Sequence, residues 1–377
     1  MEYEITTLKP EDFEEMMLFL EKSYRHYRDY FPLRYPHVWR KDTLDYDNKL
    51  ILKVNNKIVS HVGIFDLTLI CGDLKYKVGG IGGVATLQEY RGRGFMSILM
   101  REAIKRMREK GYLFSILWGD RQRYGHFGYD SAGRNISISI SSRSLRLEYN
   151  PRIVDYRQYY GEEELLRKII KSHNKEPLLV YRNERDYRLI FNKNDLMTYV
   201  SENGSYISFY HSSPSSIVEL GGEPEDVLSL IYTIINTVGK DKGFGSVTIN
   251  LPYYPYDLMN TLVRVRTGWS IGAVGLVKIL NLRKLIETYK PLLAERSRNI
   301  SINFMLEIKD TGESVSVSIQ RGDIDVSNRR DGFKKIALSE REITEFLFIG
   351  PEMVGITDKL YNHLFPLPFY VWRLDHI

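Results

Sequence analysis

The sequence predicts an α/β chain of α+β type, made of two successive strand-and-helix units and a smaller, β-rich third part. Three observations predict it. The stretch from Val78 to Met107 reads as a glycine-rich strand, a basic turn and an amphipathic helix. Short strand patterns and helical patterns alternate on both sides of it, and the order of the first 146 residues is echoed after residue 150. Beyond Arg298 the patterns are mostly strands. A chain of 377 residues is too long for one ordinary core, and the three parts are bounded at 1–146, 147–284 and 285–377.

Residues 3–8 read as a strand. Pro10 opens a helix at its first position, with Phe13, Met16, Met17, Leu20 and Tyr24 on one face and Glu11, Asp12, Glu14 and Glu15 in the first turns, where the helix dipole favours acids. Tyr30 to Trp39 is a loop rich in aromatics and prolines. It serves either as a packed loop or as one wall of a substrate cleft. Leu50–Val54 and Ile58–Phe65 are strands around Asn55-Asn56-Lys57. A further strand runs to Cys71 and turns at Gly72-Asp73 into Val78–Thr86.

The helix that follows carries Met96, Leu99, Met100, Ala103 and Met107 at helical spacing, with Arg101, Lys105, Arg106 and Arg108 opposite. Between strand and helix stands Arg91-Gly92-Arg93-Gly94. Glycines there leave backbone N–H groups unobstructed, and the first helical turn adds unpaired N–H groups and a positive dipole end. Such a turn holds a phosphate or pyrophosphate. The alternative is a basic surface loop, or a fragment of the RGG type, which comes as repeats in disordered sequence. Leu113–Trp118 is a strand, a short segment carries Tyr124-Gly125-His126-Phe127-Gly128-Tyr129, and Asn135–Ser141 is a period-two strand.

In the second part, Glu162–Ser172 is a helix, and Met197–Val200, Tyr206–Tyr210 and Ser216–Leu220 are strands. Helices at Pro224–Val238 and Tyr256–Val263 flank a strand at Ser246–Leu251. After the strand at Ser216–Leu220 comes only Gly221-Gly222-Glu223-Pro224-Glu225, whose carboxylates repel a pyrophosphate. We read this unit as a degenerate repeat without the anion site. Ala273–Leu280 is a strand and Leu282–Leu293 a helix. Ile300–Ile308, Val315–Ile319 and Gly322–Ser327 are strands. Ser339–Phe348 is a helix opened by a capping box of Ser339 and Glu342. The chain ends on an apolar tail, Leu364 to Ile377.

A net charge of +5, with 27% charged and 43% hydrophobic residues, suits an anionic cofactor and does not call for nucleic acid. No apolar run reaches the ~20 residues of a membrane span, and the N-terminus lacks a signal-peptide profile. Cys71 is the single cysteine and the eight His are scattered, so neither a disulfide framework nor a metal site is expected. The expected location is cytoplasmic.

The basic turn resembles the pyrophosphate loop of the GNAT superfamily of N-acetyltransferases, [Q/R]-x-x-G-x-[G/A], with Arg91 first, Gly94 fourth and Met96 last, where that superfamily prefers Gly or Ala. The whole chain resembles the Eis (enhanced intracellular survival) family. This rests on Tyr90-Arg91-Gly92-Arg93-Gly94-Phe95-Met96-Ser97, in which a bulky residue at Met96 is the family habit. It rests also on Tyr124-Gly125-His126-Phe127-Gly128-Tyr129, with His126 where the family has Arg, and on the Phe365-Pro366-Leu367-Pro368-Phe369 ending with Asp375 close to the terminus. The resemblance implies two tandem GNAT folds, a sterol-carrier-protein-like third domain and a hexamer.

It also implies transfer of an acetyl group from acetyl-CoA to a primary amine, on an aminoglycoside-like polyamine or a lysine side chain. Cofactor binding then falls to Val84, Ala85 and Thr86 on a splayed strand and to Arg91, Gly92, Arg93, Gly94, Phe95, Met96 and Ser97. The general acid is Tyr124, a phenol that is protonated at neutral pH; the plain alternative is a core aromatic, as many of the 27 Tyr must be. Val78–Leu87 holds neither an acid nor a His. By resemblance the general base is therefore the terminal carboxylate of Ile377, against a terminal strand without a catalytic part. His61, Asp66, His126 and Asp375 are fallback bases. Two other classes stay open: a coenzyme A-binding regulator without turnover, and an apolar-ligand carrier acting through residues 285–377.

Overall fold

The computed structural model describes residues 2–329 and 331–377. Its first unit runs β1 (Glu4–Thr7), α1 (Phe13–Tyr24), α2 (Tyr30–Arg34), α3 (Pro36–Trp39), β2 (Lys49–Val54), β3 (Lys57–Cys71) and β4 (Leu74–Thr86). It continues with α4 (Phe95–Glu109), β5 (Phe114–Leu117), α5 (Arg121–Gly125) and β6 (Asp130–Ser141). The β2–β3 turn places Asn55 and Asn56 at φ of 50° and 62°, the left-handed pair that a tight hairpin needs and asparagine tolerates. The expected aromatic loop is two short helices, because Asp29 at φ 65° reverses the chain and Pro36 restarts it at the first position of α3. On α4 the apolar face is as expected: Leu99, Met100, Ala103 and Met107 are buried and Arg101, Lys105 and Arg108 are exposed.

The second unit comprises α6 (Ser142–Glu148), β7 (Tyr156–Gln158), α7 (Glu163–His173), β8 (Leu178–Val180), α8 (Glu184–Phe191), β9 (Leu196–Ser201), β10 (Tyr206–Tyr210) and β11 (Ser213–Gly221). It goes on through α9 (Pro224–Asn236), α10 (Val238–Lys242), β12 (Ser246–Pro252), α11 (Asp257–Arg264) and β13 (Gly268–Ile279). One 13-stranded sheet joins the two units in the order β1-β2-β3-β4-β5-β13-β6-β12-β11-β10-β9-β7, with β8 paired to β3. That order is a palindrome of roles. Each unit has an antiparallel meander followed by a parallel pairing only two residues deep: Gly79 and Gly80 with Ser115 and Ile116 in the first, Ser216 and Ile217 with Thr248 and Ile249 in the second. The last strands are interleaved. β13 pairs with β5 and β6, and β6 pairs with β12. The two halves of the sheet thus follow the same strand order.

The remaining elements are α12 (Leu282–Thr288), α13 (Lys290–Arg296), β14 (Ser301–Ile308), β15 (Ser314–Gln320), β16 (Asp323–Ser327), β17 (Lys334–Leu338), α14 (Glu340–Phe348) and α15 (Lys359–Leu364). The single helix expected at Leu282–Leu293 breaks at Tyr289, since Pro291 lacks the N–H that would bond back to the preceding turn. The capping box at Ser339 and Glu342 is present. A four-stranded sheet, β16-β15-β14-β17, carries this part. It packs on the large sheet through Phe348, whose ring stands 5.3 Å from Phe114 of β5 and from Phe369 of the tail. Among the described residues no helix is long and apolar enough to cross a membrane.

Candidate active site

The site is built around a bulge in β4. Across the β3–β4 ladder Ser60 faces Thr86, His61 faces Ala85 and Gly63 faces Gly82. Three steps on β4 therefore oppose two on β3, and the extra residue lies at Gly83–Val84. Gly83 takes φ +61°, and the edge of Trp39 lies where its side chain would go, 2.6 Å from a Cβ built there. The buried His61 ring donates from Nδ1 to the Gly83 carbonyl at 2.7 Å. Beyond Gly80 the β4–β5 pairing stops, so the strands splay where the expected pantetheine contacts Val84, Ala85 and Thr86 lie.

Those three residues and Arg91 to Ser97 line one cleft of about 530 Å³. Its far end is the turn into α4. Gly92 and Gly94 sit at φ +76° and +77°, and a Cβ at either would meet nothing within 4 Å. The space in front of them is thus open, and backbone N–H groups at the start of a 15-residue helix border it. Arg91 is fixed by a bond from Nε to the Thr86 carbonyl, 3.1 Å, and the Arg93 guanidinium lies 5.7 Å from the Tyr90 ring centre. An open cradle of N–H groups flanked by two arginines fits a pyrophosphate.

Four cleft residues were not anticipated from the sequence: Ser23, Tyr24, Tyr90 and Arg123. The helical spacing places Tyr24 only on the apolar face of α1, yet its hydroxyl donates to the Val84 carbonyl at 2.9 Å. The cue was its place as the last, half-wet position of that face. Ser23 Oγ is buried with no partner among the described residues.

Tyr124 and Ile377 come from other elements and do not line that cleft: Tyr124 packs on Gly119, and Ile377 lies against Gly80 and Gly82 of β4. Asp120 caps α5 by accepting the Arg123 N–H at 2.6 Å. Gly119 leaves room for the Tyr124 ring, which lies 2.5 Å from where a Cβ would stand. Burial pushes the Tyr124 phenol up from its ordinary value, Arg123 opposes this, and Asp120 adds to it. Tyr129 is fully buried and donates to Ser115 Oγ at 2.7 Å, so it is a core residue.

The tail arrives by a chain of anchors. The Tyr370 hydroxyl donates to the Asn250 carbonyl at 2.9 Å, and Trp372 is fully buried. The Asp375 carboxylate accepts from the Arg182 guanidinium at 2.6 and 2.8 Å. His376 stacks on Trp118 with ring centres 3.9 Å apart. Ile377 then lies along β4, where a Cβ on Gly82 would be 3.2 Å from its terminal carbonyl oxygen.

Of the fallback bases, His61 lies beneath the bulge, bonded to Gly83, and the other three are engaged or placed elsewhere. Burial first, then Lys49, lowers His61 to about 3 despite its bond to Gly83, and it has no exposed surface. Asp66 accepts from Tyr112 and Asn48. His126 is exposed at the end of α5, and Asp375 is spent on Arg182. In the second unit, the turn matching the arginine loop is filled: a Cβ on Gly222 would lie 2.1 Å from Ser205 Oγ, and Glu148, Glu223 and Glu225 line the adjacent cleft.

Residues 4–132 match the family model described as "Acetyltransferase (GNAT) domain". The first unit is a GNAT acetyltransferase domain. The protein is thereby an acyl-CoA-dependent acetyltransferase. No protein of curated function matches the sequence. Solved structures match over the full length. A GCN5-related N-acetyltransferase from Kribbella flavida is 17% identical, covers 100% of both chains and gives a TM-score of 0.72. One from Anabaena variabilis is 15% identical over 100% of both, TM-score 0.68. Eis1 from Mycobacterium abscessus is 13% identical over 99% of this chain and 100% of its own, TM-score 0.67. At such identities the likeness is one of fold, and it extends beyond the GNAT domain to both sheets.

The GNAT cleft gives the first prediction. Gly94→Val puts a β-branched residue at φ +77°, which costs roughly 1–3 kcal/mol, and points its methyls into the open cradle. Coenzyme A affinity measured by calorimetry is expected to fall tenfold or more, with a wild-type stoichiometry of one site per chain. Unchanged affinity, or two sites, would remove the loop from this role.

Proposed function

We propose that the protein acetylates a primary amine by direct attack, with Tyr124 as general acid and the Ile377 carboxylate as general base. The observation that carries this is the arrival of the chain terminus beside Gly82, on the splayed edge of β4, held there by four successive anchors. An ordinary tail frays; this one is buried through Asp375 except at Arg373, and its last two residues are half-buried.

Bound acetyl-CoA supplies an acyl thioester. The N–H groups of Gly92 to Ser97, with Arg91 and Arg93, hold its pyrophosphate, and the β4 edge at Val84–Thr86 takes the arm. The Val84 carbonyl is already engaged by Tyr24, which leaves N–H groups of this edge to face the acyl oxygen. The Ile377 carboxylate, an α-carboxylate ionised at neutral pH, takes the proton of the acceptor ammonium. Tyr124 holds the proton for the leaving thiol. Its upward shift keeps it fully protonated at neutral pH. The filled, acidic turn of the second unit supports one donor site per chain.

Thiol release from acetyl-CoA across a panel of amines tests the activity. The base is tested by adding a few residues after Ile377, which moves the carboxylate and keeps every side chain. Deleting Ile377 shifts it by up to ~3.5 Å. Both are expected to lower kcat by roughly 10²–10⁴-fold with acetyl-CoA affinity and melting temperature near wild type. An extended enzyme that turns over normally would discard the terminal carboxylate as base.

A further inference from the structure

A second cleft, of about 820 Å³, opens between the α2–α3 segment and the end of α8. Lys193 lines it. The residue is 5% exposed, and among the described residues its ammonium has neither a hydrogen bond nor an ion pair. A buried, unpaired charge is expensive unless something else completes it. Burial, helped by Arg34 and Arg182, lowers Lys193 to about 7, with Asp195 and Asp375 acting against them.

Arg34 shares the cleft, its guanidinium 3.6 Å from the Tyr210 ring centre and paired with Asp195. Arg188 and Arg40 stand at the rim, committed to Glu163 and Glu184 and to Asp42. The acids of the lining are Asp195, already taken by Arg34, and Asp29 at the start of α2. Of the cations in this lining, Lys193 is the one that makes no ion pair with a described residue.

The cleft shares α3 with the active site: Pro36 lines the cleft, and Trp39 at the other end of that helix lies over Gly83 of the β4 bulge. After burial, Arg373, Lys193 and Arg34 are the charges that depress His376, to about 3. His376 precedes the terminal residue that lies beside Gly82.

We propose that this cleft binds an anionic group, a carboxylate or a phosphate, carried by the acceptor amine, with Lys193 as its counter-ion and Arg34 beside it. The proposal rests on the acetyltransferase reading for the amine and adds the acceptor's second group. It favours an amino acid, an acidic peptide or an aminoalkyl phosphate over a polycation, which Lys193 and Arg34 would repel.

Matched acceptors test it with the full chain: an ω-amino acid against its amide, and an aminoalkyl phosphate against the amino alcohol. The acidic member of at least one pair is expected to show a KM lower by about tenfold or more, and the pair that does so tells carboxylate from phosphate. Lys193→Met is expected to close the gap and leave KM for neutral amines and for acetyl-CoA unchanged. It replaces a buried charge by an apolar chain of similar size, so the fold should hold or gain stability. Lys193→Arg is expected to keep part of the preference.

Calorimetry with inorganic phosphate and with acetate, on wild type and Lys193→Met, reads the site without turnover. Anion binding lost in the variant, in a protein that acetylates no amine, would keep the site and overturn the acetyltransferase reading. Equal KM within both pairs, a preference for polyamines, or a gap that survives Lys193→Met would overturn the proposal.

Discussion

Tyr124→Phe is expected to lower kcat by roughly 10²–10⁴-fold and to leave acetyl-CoA affinity as it is. The change removes one hydroxyl from a ring whose place is set by Gly119 below it and the Asp120 cap behind it, so the packing survives. Pre-steady-state thiol release should slow with the steady-state rate, since the missing proton belongs to the chemical step. A variant with near-normal kcat would hand the acid role to water. Tyr129 cannot inherit it, because its hydroxyl is buried against Ser115.

Arg182→Met should destabilise the protein by about 3–5 kcal/mol, the largest stability effect expected of a single substitution here. Arg182 is buried between Glu219, at 2.5 and 3.0 Å, and Asp375, at 2.6 and 2.8 Å. Its loss strands two buried carboxylates. Burial raises Glu219, but Arg182 and then His173 outweigh it and hold its carboxyl well below the ordinary range. A depressed carboxylate stabilises in full above its unfolded pKa, and that contribution fades as the pH falls through the folded value. The melting-temperature gap between wild type and variant should therefore be wide at pH 7 and narrow in strong acid. Because Asp375 is two residues from the terminus, kcat should drop as well at temperatures where the variant is folded. A variant that melts with wild type would show that the ion cluster does not hold the tail.

The parts of this architecture that depend on neighbours in sequence were legible there. The β4–α4 turn could be read because Arg91 to Gly94 carry their conformation in their own composition, and β6 because Ile136, Ile138 and Ile140 alternate and are buried. What depends on distant partners was not. Nothing in Gly268–Gly272 announces pairing with Asn135–Ser139, and β8, three residues long, exists only because β3 offers it an edge. The tail read as apolar, but its destination did not, since Arg182 and Trp118 are ordinary residues until the fold brings Asp375 and His376 to them. Lys193 gave no signal at all. A lone lysine after a helix is normally solvated, and only its enclosure between α3 and α8 makes it unusual.

The interleaving of β6 and β13 has a consequence for how the chain reaches this state. The GNAT domain holds all its proposed cofactor residues within its first hundred residues, yet β5 lacks one of its two neighbours until residues 268–279 have been made. During synthesis the half-sheet therefore carries an open hydrogen-bonding edge at the floor of its own active site, the kind of edge that recruits foreign strands. Closure is a late, high-contact-order event that completes both units together. A fragment ending at residue 146 should accordingly fold poorly or pair with a second copy of itself, and a ribosome pausing within the second unit would expose the chain to aggregation. The enzyme is committed to having both units, since each finishes the other's sheet.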